Sequence, residues 1–299
     1  MITSGDVSAI VVNWNLPDET VGAVHSLQGQ IRSCHIYVVD NGSDDGSISI
    51  ISDRCPGVEI ISLAENRGFA TACNIAITQA LADERCEFIL LLNNDARAHP
   101  NALHEMLQVL ESLPQGGIIG PKIYFAENRR KIWYAGARRR RMVLAAADIG
   151  RGQDDTGQFA EIRDVDYVFG AAMLVHRQVF ESVGLFDESY FIYLEDLDFC
   201  FRAQQAGIPL IFAPKSLVWH IGSASTAKDP ALRHYHMVKG TIIFLRKHAS
   251  ALTILPIILF WSLVFARAIF LEFLNGNLQA IRSYWSGAIS GLATEIRRT

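Results

Sequence analysis

The chain has 299 residues, half of them hydrophobic, and 31 acidic against 27 basic side chains leave a formal net charge of −4. That length supplies one large or two ordinary domains with a real core. The mild acidity argues against nucleic acid as the main partner, which demands a basic face.

The opening stretch "MITSGDVSAIVVNWN" has no basic n-region and no long apolar run, so no secretory signal is expected. "VSAIVVNW" reads as a strand followed by a helix beginning near Pro17. "CHIYVVDNGS" is a second strand ending in a turn, and "VEIISLAEN" a third. "GFATACNIAITQALA" is a helix rich in small residues, and "EFILLL" a fourth strand. Strand–helix alternation at this spacing predicts βαβ units and a mainly parallel sheet. Beyond Pro100 come an amphipathic helix, "ALHEMLQVLESL", and a strand and turn, "GGIIGPKIYF". The Gly- and charge-rich "ARRRRMVLAAADIGRGQDDTGQF" predicts a loop or short hairpin. "VDYVFGAAMLVHR" reads as an apolar strand broken by Gly170, and "DLDFCFRAQQAG" as a helix stopped by Gly207. "LIFAPKSLVWHIG" closes the globular part, and helices are expected from about Ala231. Five cysteines (Cys34, Cys55, Cys73, Cys86 and Cys200) lack any C-x-x-C spacing. They predict reduced, mostly buried thiols in a cytosolic protein.

From Ala249 to Ala266 run 18 uncharged residues, flanked by Arg246, Lys247 and His248 before and Arg267 after. As a helix they reach about 27 Å, short of a bilayer core of roughly 30 Å. Pro256 would interrupt a straight span. A helix lying in or dipping into the membrane interface is expected over a crossing. A buried helical hairpin or a face on which two copies pair is the alternative. The run Arg138 to Arg141 reads as a solvated loop or as a patch attracted to anionic lipid.

Polar groups gather at three places. The apolar run Phe88 to Leu92 ends in Asn93, Asn94 and Asp95; "VVDNGSDDGS" places Asp40 at the end of strand two; "YFIYLEDLDFC" carries Glu195, Asp196 and Asp198. Strand carboxyl ends are where ligands bind in open α/β sheets. An Asp there can accept from a pyrimidine imide or ribose hydroxyl, or hold a hard cation that grips a diphosphate. "DNGSDDGS" alone would be an ordinary Asx/Gly turn. No G-x-G-x-x-G follows the first strand and no G-x-x-x-x-G-K-[ST] occurs, which removes the Rossmann and P-loop readings.

The ordered set "IVVNWN", "VVDNGSDDGS", "ENRGFATACN", "LLLNNDA", "VFGAAMLVHR", "VGLFDESYFIYLEDLDFCFRAQQAG" and "VWHIGSAS" closely resembles the family 2 glycosyltransferases. Within them it looks most like the bacterial rhamnosyltransferase-type enzymes. The resemblance spans about Val7 to Ser225. It implies a GT-A-type fold with a Rossmann-like, mainly parallel sheet and a helical, membrane-associating tail. Residues 1–100 would form the nucleotide-sugar half, 101–225 the acceptor and catalytic half, and 226–299 the tail. In "HYHMVKGTIIFLRKH", Lys239-Gly240 stands where that subgroup usually has Arg-Asn.

By the same resemblance the reaction inverts the anomeric centre of a dTDP- or UDP-sugar in one displacement. Asp196 would be the general base, kept ionised at a helix start, with Glu195 second. The family's Asp-x-Asp motif falls on Asn93-Asn94-Asp95, leaving Asp95 as its carboxylate for Mg²⁺ or Mn²⁺, with His220 as a second ligand. Asn94 would lie near the ribose or sugar. Asp40, Asn13, Asn15, Arg67, Gly68 and Asn74 would bind the nucleotide, and Gly170 would let backbone approach donor or acceptor. Trp133 and Tyr134 would stack on a sugar or pack in the core. The expected acceptor is a glycan or polyprenyl-diphosphate-linked sugar at the cytoplasmic face of the inner membrane, with rhamnose from dTDP-rhamnose the best single donor. Rival readings are a sugar nucleotidyltransferase, whose phosphate loop is missing, and a processive synthase, whose QxxRW is missing. A carbohydrate-binding scaffold on the same fold is supported only by the missing first acid.

Overall fold

A computed structural model of the chain describes residues 6–30, 34–222 and 230–296. The first half runs β1 (Asp6–Asn13), α1 (Pro17–Leu27), β2 (Cys34–Asp40), α2 (Ser47–Arg54), β3 (Glu59–Ser62), α3 (Phe69–Leu81), β4 (Cys86–Leu92) and β5 (Ala96–Ala98). The second runs α4 (Ala102–Leu110), β6 (Ile118–Phe125), β7 (Ile132–Tyr134), β8 (Ala137–Arg140), β9 (Ala145–Asp148), β10 (Arg163–Asp164), β11 (Ala172–His176), α5 (Arg177–Val183), α6 (Glu195–Gln205) and β12 (Leu210–His220). Three helices follow: α7 (Pro230–His248), α8 (Ile254–Leu274) and α9 (Leu278–Ala293).

One sheet organises the molecule, in the order β3-β2-β1-β4-β11-β6-β12-β10, with β5 on β12 and β7 on β6. Strands β3, β2, β1 and β4 pair in parallel, and β11 enters antiparallel between β4 and β6. The unbroken run Phe88 to Leu92 is buried on both faces, as a strand covered by helices on each side must be. Helix α3 lies close on the sheet because its inward positions are small: Ala70, Ala72, Cys73, Ala76 and Ala80 are all buried.

Register decides where the polar residues go. The β1–β2 pairing sets Asn13 beside Asp40, and the β5–β12 pairing sets His220 beside Ala96. The apolar strands therefore all deliver their polar ends to one edge.

Several expectations change in detail. "VDYVFGAAMLVHR" is a strand only over Ala172–His176, because Tyr167, Phe169 and Gly170 leave the sheet to line a cavity. The arginine run is part of a hairpin: Arg138 to Arg140 pair with β9. Arg139 is not solvated there, since its guanidinium lies 4.3 Å from the Phe201 ring centroid. Helices α2 and α5 were not anticipated, being too short to show a clear period. The last residues of "VWHIGSAS", Ser223 to Ser225, lie outside the described residues, as does the expected boundary at 225 and 226.

The tail is fixed to the sheet domain through Asp198, which is fully buried on α6. It accepts from Arg202 Nε at 2.8 Å, Lys247 Nζ at 2.8 Å and His248 Nε2 at 2.8 Å. These partners, a hydrogen bond from His248 and the charges of Lys247 and Arg202, outweigh burial and hold its carboxyl well below the usual range. Lys247 also reaches Asp187 Oδ2 at 2.6 Å. Replacing Asp198 by Asn should cost about 3–5 kcal/mol at neutral pH, because it leaves buried cations uncompensated. The folded-state pKa is depressed, so this stability is present above the unfolded value and is lost as pH falls through the folded one. Denaturant melts of both proteins should therefore differ most at neutral pH and converge toward strongly acid pH.

Candidate active site

A cavity of about 570 Å³ opens at the carboxyl edge of the sheet, a size suited to a substrate-sized ligand. Its lining includes strand ends (Asn93, Asn94, Asp95, His220), the segment Tyr167 to Ala171, the strap Phe191 to Leu197, and α7.

The strap is forced into shape. Tyr193 and Leu194 both take left-handed backbone, with φ of 71° and 70°. Two such bulky residues in succession carry strain of roughly 1–3 kcal/mol each, which persists only where the surroundings over-determine it. They are held from both sides. Phe191 O accepts from Phe69 N at 2.7 Å, an approach open only because Gly68 has no Cβ. On the other side Gly240 of α7 lies so close that a Cβ would sit 3.1 Å from Tyr193 O. This gives a physical reason for glycine at 240. The turn delivers Glu195 and Asp196 as the first residues of α6, both buried and both lining the cavity.

Asp196 Oδ2 accepts from Tyr167 Oη at 2.6 Å and from Gly170 N at 2.7 Å, while Oδ1 accepts from Leu197 N at 2.8 Å. Burial nevertheless pushes its pKa up, against these hydrogen bonds. At this helix start burial opposes ionisation, and the hydrogen bonds from Tyr167, Gly170 and Leu197 favour it. Burial and the neighbouring Asp196 push Glu195 well above the usual carboxylate range, and its Oε2 has no hydrogen-bond partner. Asp198, on the same helix, points away to its cations.

Asp95 and His220 meet through the β5–β12 register, with Asp95 Oδ1 at 3.0 Å from His220 Nε2. The approach is not an aligned hydrogen bond, since neither ring nitrogen of His220 has a hydrogen-bond partner. A buried imidazole with unused nitrogen beside a carboxylate fits two ligands of a divalent cation. Among the described residues no group of three or more His, Cys, Asp or Glu converges to hold an ion by itself. Substrate oxygens and water would have to complete the shell.

The other sequence-selected residues distribute unevenly. Asn94 and Gly170 line the cavity. The close approach at Gly170 is to the Asp196 carboxylate: a Cβ there would lie 2.8 Å from Oδ2. Asn13, Asn15 and Asp40 form a knot at the ends of β1 and β2. Asn13 Nδ2 donates to Asp40 Oδ1 at 2.7 Å, and Ser43 N donates to Asp40 Oδ2 at 3.1 Å. Asn15 Oδ1 accepts from Asp44 N at 3.0 Å. The knot abuts cavity-lining Trp14 and Asn41 without lining the cavity itself. Arg67 donates its backbone N–H to Asn41, and Gly68 makes room for the strap. Asn74 is away from the cavity, its side chain bonded to Phe186 N and O and to Glu188. Trp133 lines the cavity and Tyr134 is core. Sequence reasoning missed Tyr167, Asn66 and His236. Tyr167 lies in the stretch "VDYVFGAAMLVHR", three residues before Gly170 and one before the matching motif begins; nothing local marks His236 on the distant tail.

A family model, "Glycosyl transferase family 2", matches residues 8–184. The chain belongs to glycosyl transferase family 2. It is 30% identical over 238 residues to an N-acetylglucosaminyl-diphospho-decaprenol L-rhamnosyltransferase of Mycobacterium tuberculosis, covering 73% of this chain and 76% of that one. It is 23% identical over 258 residues to a dTDP-rhamnosyl transferase of Shigella flexneri, covering 82% and 81%. Among solved structures it resembles GalNAc-T7 with UDP, GalNAc and Mn²⁺, with a TM-score of 0.61 at 15% identity over 83% of this chain and 48% of that one. It also resembles a mannosyltransferase of Pyrobaculum calidifontis with GDP-Man and Mn²⁺, with a TM-score of 0.56 at 16% identity over 97% and 76%. The protein is a glycosyltransferase with a GT-A fold and rhamnosyltransferase homologues.

Two substitutions probe the Asp196 carboxylate. Tyr167→Phe removes a hydrogen bond that lowers the Asp196 pKa, so the acid limb of the pH–rate profile should move to higher pH. Gly170→Ala should push the carboxylate aside and lower kcat roughly a hundredfold, with the thermal midpoint as the control for folding.

Proposed function

We propose that this transferase moves rhamnose from dTDP-rhamnose, with inversion, onto a lipid-linked glycan in cell-surface polysaccharide synthesis. The observation that carries the reading is one cavity holding an oriented carboxylate, Asp196, and an Asp95–His220 pair suited to a cation on a diphosphate. The names of the Mycobacterium and Shigella relatives support rhamnose as the donor sugar and a polyprenyl-diphosphate-linked acceptor.

Asp196 takes the proton from the acceptor hydroxyl as that oxygen bonds to the anomeric carbon and the bond to the nucleoside diphosphate breaks. Tyr167 and Gly170 fix the carboxylate and favour its ionised form. Glu195, pushed up by burial and by the neighbouring Asp196, lines the same cavity and faces a sugar hydroxyl. Asp95 and His220 would hold Mg²⁺ or Mn²⁺, which when bound supplies charge neutralisation for the leaving diphosphate. Asn94 orients the sugar or ribose, and the Asp40 knot, with Arg67 and Gly68 nearby, holds the cavity-lining Trp14 and Asn41 on the nucleotide side. In this reading residues 1–100 bind the donor, 101–225 bind the acceptor, and 226–299 hold the enzyme at the cytoplasmic membrane face.

Calorimetric titration with dTDP, UDP and GDP, with and without Mn²⁺, tests the site. Metal-dependent dTDP binding should be lost in Asp95→Ala and kept in Asp196→Asn. Transfer by Asp196→Asn should fall by roughly 10²–10⁴. Folded protein that binds none of the three nucleotides would sink the proposal.

A further inference from the structure

The tail carries an apolar surface that the sheet domain does not cover. Along α8, Leu255, Leu259, Leu263 and Phe270 are 63%, 60%, 72% and 58% exposed, and on α9 Trp285 and Ile289 are 60% and 65% exposed. Contiguous apolar area of this kind on a folded chain marks a binding surface. Among the described residues α8 is the one helix long and apolar enough to cross a membrane.

Its attachments rule out a crossing. Helix α9 lies alongside α7 in the same direction. Tyr284 stacks on His234 at 4.8 Å near the start of both, and Arg246 donates to Gly291 O at 2.7 Å and to Thr294 O at 2.8 Å near their ends. Two glycines allow the contact: a Cβ at Gly287 would lie 2.5 Å from Tyr235 O, and one at Gly291 would lie 2.8 Å from Lys239 O. Helix α8 joins the end of α7 to the start of α9, so both its ends belong to one body. That body is tied to the sheet domain by the Asp198 cluster. Midway along α8, Trp261 Nε1 donates to Val143 O at the tip of the β8–β9 hairpin, at 2.8 Å. Ile257 is buried beside Leu144 in the same cluster. A bilayer-spanning α8 would tear α9 from α7 and Trp261 from the hairpin.

The hairpin supplies the charge. Arg138, Arg140 and Arg141 are exposed on it, Met142 at its tip is 58% exposed, and Arg267 and Arg282 are exposed on α8 and α9. Exposed apolar side chains on a body that also carries exposed arginines match one occupant, an anionic lipid surface, with aliphatic groups entering the acyl boundary and guanidinium groups at the head groups.

We infer that α8, α9 and the β8–β9 hairpin form one docking surface for an anionic bilayer, with α8 lying in the membrane plane. Helix α7, which carries α9 on one side, also lends Leu232, His236 and Met237 to the active-site wall. Docking through the tail therefore also fixes the helix that forms this part of the cavity wall. The inference rests on the transferase reading only for that last point. Its test uses no sugar or nucleotide, so the two fail separately.

Full-length protein is mixed with preformed phosphatidylcholine vesicles, with or without phosphatidylglycerol, and floated on a density gradient. It should float with the anionic vesicles and be released by alkaline carbonate. Arg140→Glu with Arg141→Glu should weaken binding roughly fivefold per arginine at low salt. Leu259→Asp with Leu263→Asp should reduce it at least tenfold, with an unchanged thermal midpoint because both side chains are exposed. Carbonate resistance would overturn the in-plane arrangement. Absence of flotation, or a dimer in light scattering abolished by the leucine substitutions with no flotation, would overturn lipid in favour of self-association.

Discussion

The structure depends on opposite uses of two carboxylates on one turn of helix. At the start of α6, Asp196 faces the cavity and is fixed by neutral donors, a phenol and a backbone amide. Asp198 faces the other way and is fixed by Arg202, Lys247 and His248. The helical angle between residues two apart makes that division compulsory. One acid stays available to chemistry; the other is committed to holding the tail, and an acid so neutralised cannot act as a base.

From this constraint the rest follows in order. The tail held by Asp198 brings Gly240 against Tyr193, which supports the left-handed turn that aims Glu195 and Asp196 into the cavity. The same helix supplies part of the cavity wall, so the tail is a component of the active site as well as its attachment. The sheet contributes the opposite wall. Its parallel strands end at one edge, and the antiparallel β5–β12 pairing brings Asp95 to His220 across the chain.

Much of this was legible in the chain. The apolar run Phe88 to Leu92 marks a strand covered on both faces, and its abrupt polar end marks a ligand-facing edge. The Glu195-Asp196 pair stood out as two acids opening a helix, and the uncharged stretch before Arg267 as a long apolar helix. Less legible were positions whose meaning is a contact. Gly170 invited the reading of backbone approaching a sugar, yet the group it admits is the Asp196 side chain. Asn74 resembled a nucleotide ligand by its neighbours, yet its amide is spent on Phe186.

The sequence by itself determined the periodicities, and with them the strands, the helices and the side of the sheet on which polar ends collect. Those depend on neighbours within a few residues, where covalent geometry sets direction. Only the tertiary structure decided which distant side chains share a solvent-free space: Tyr167 with Asp196, Asp95 with His220, Asp198 with Lys247. Burial raises Glu195 and Asp196, whereas at Asp198 the hydrogen bond from His248 and the charges of Lys247 and Arg202 overcome burial and lower it. Identical carboxyl groups acquire different chemistry because desolvation and charge pairing are properties of the packed neighbourhood.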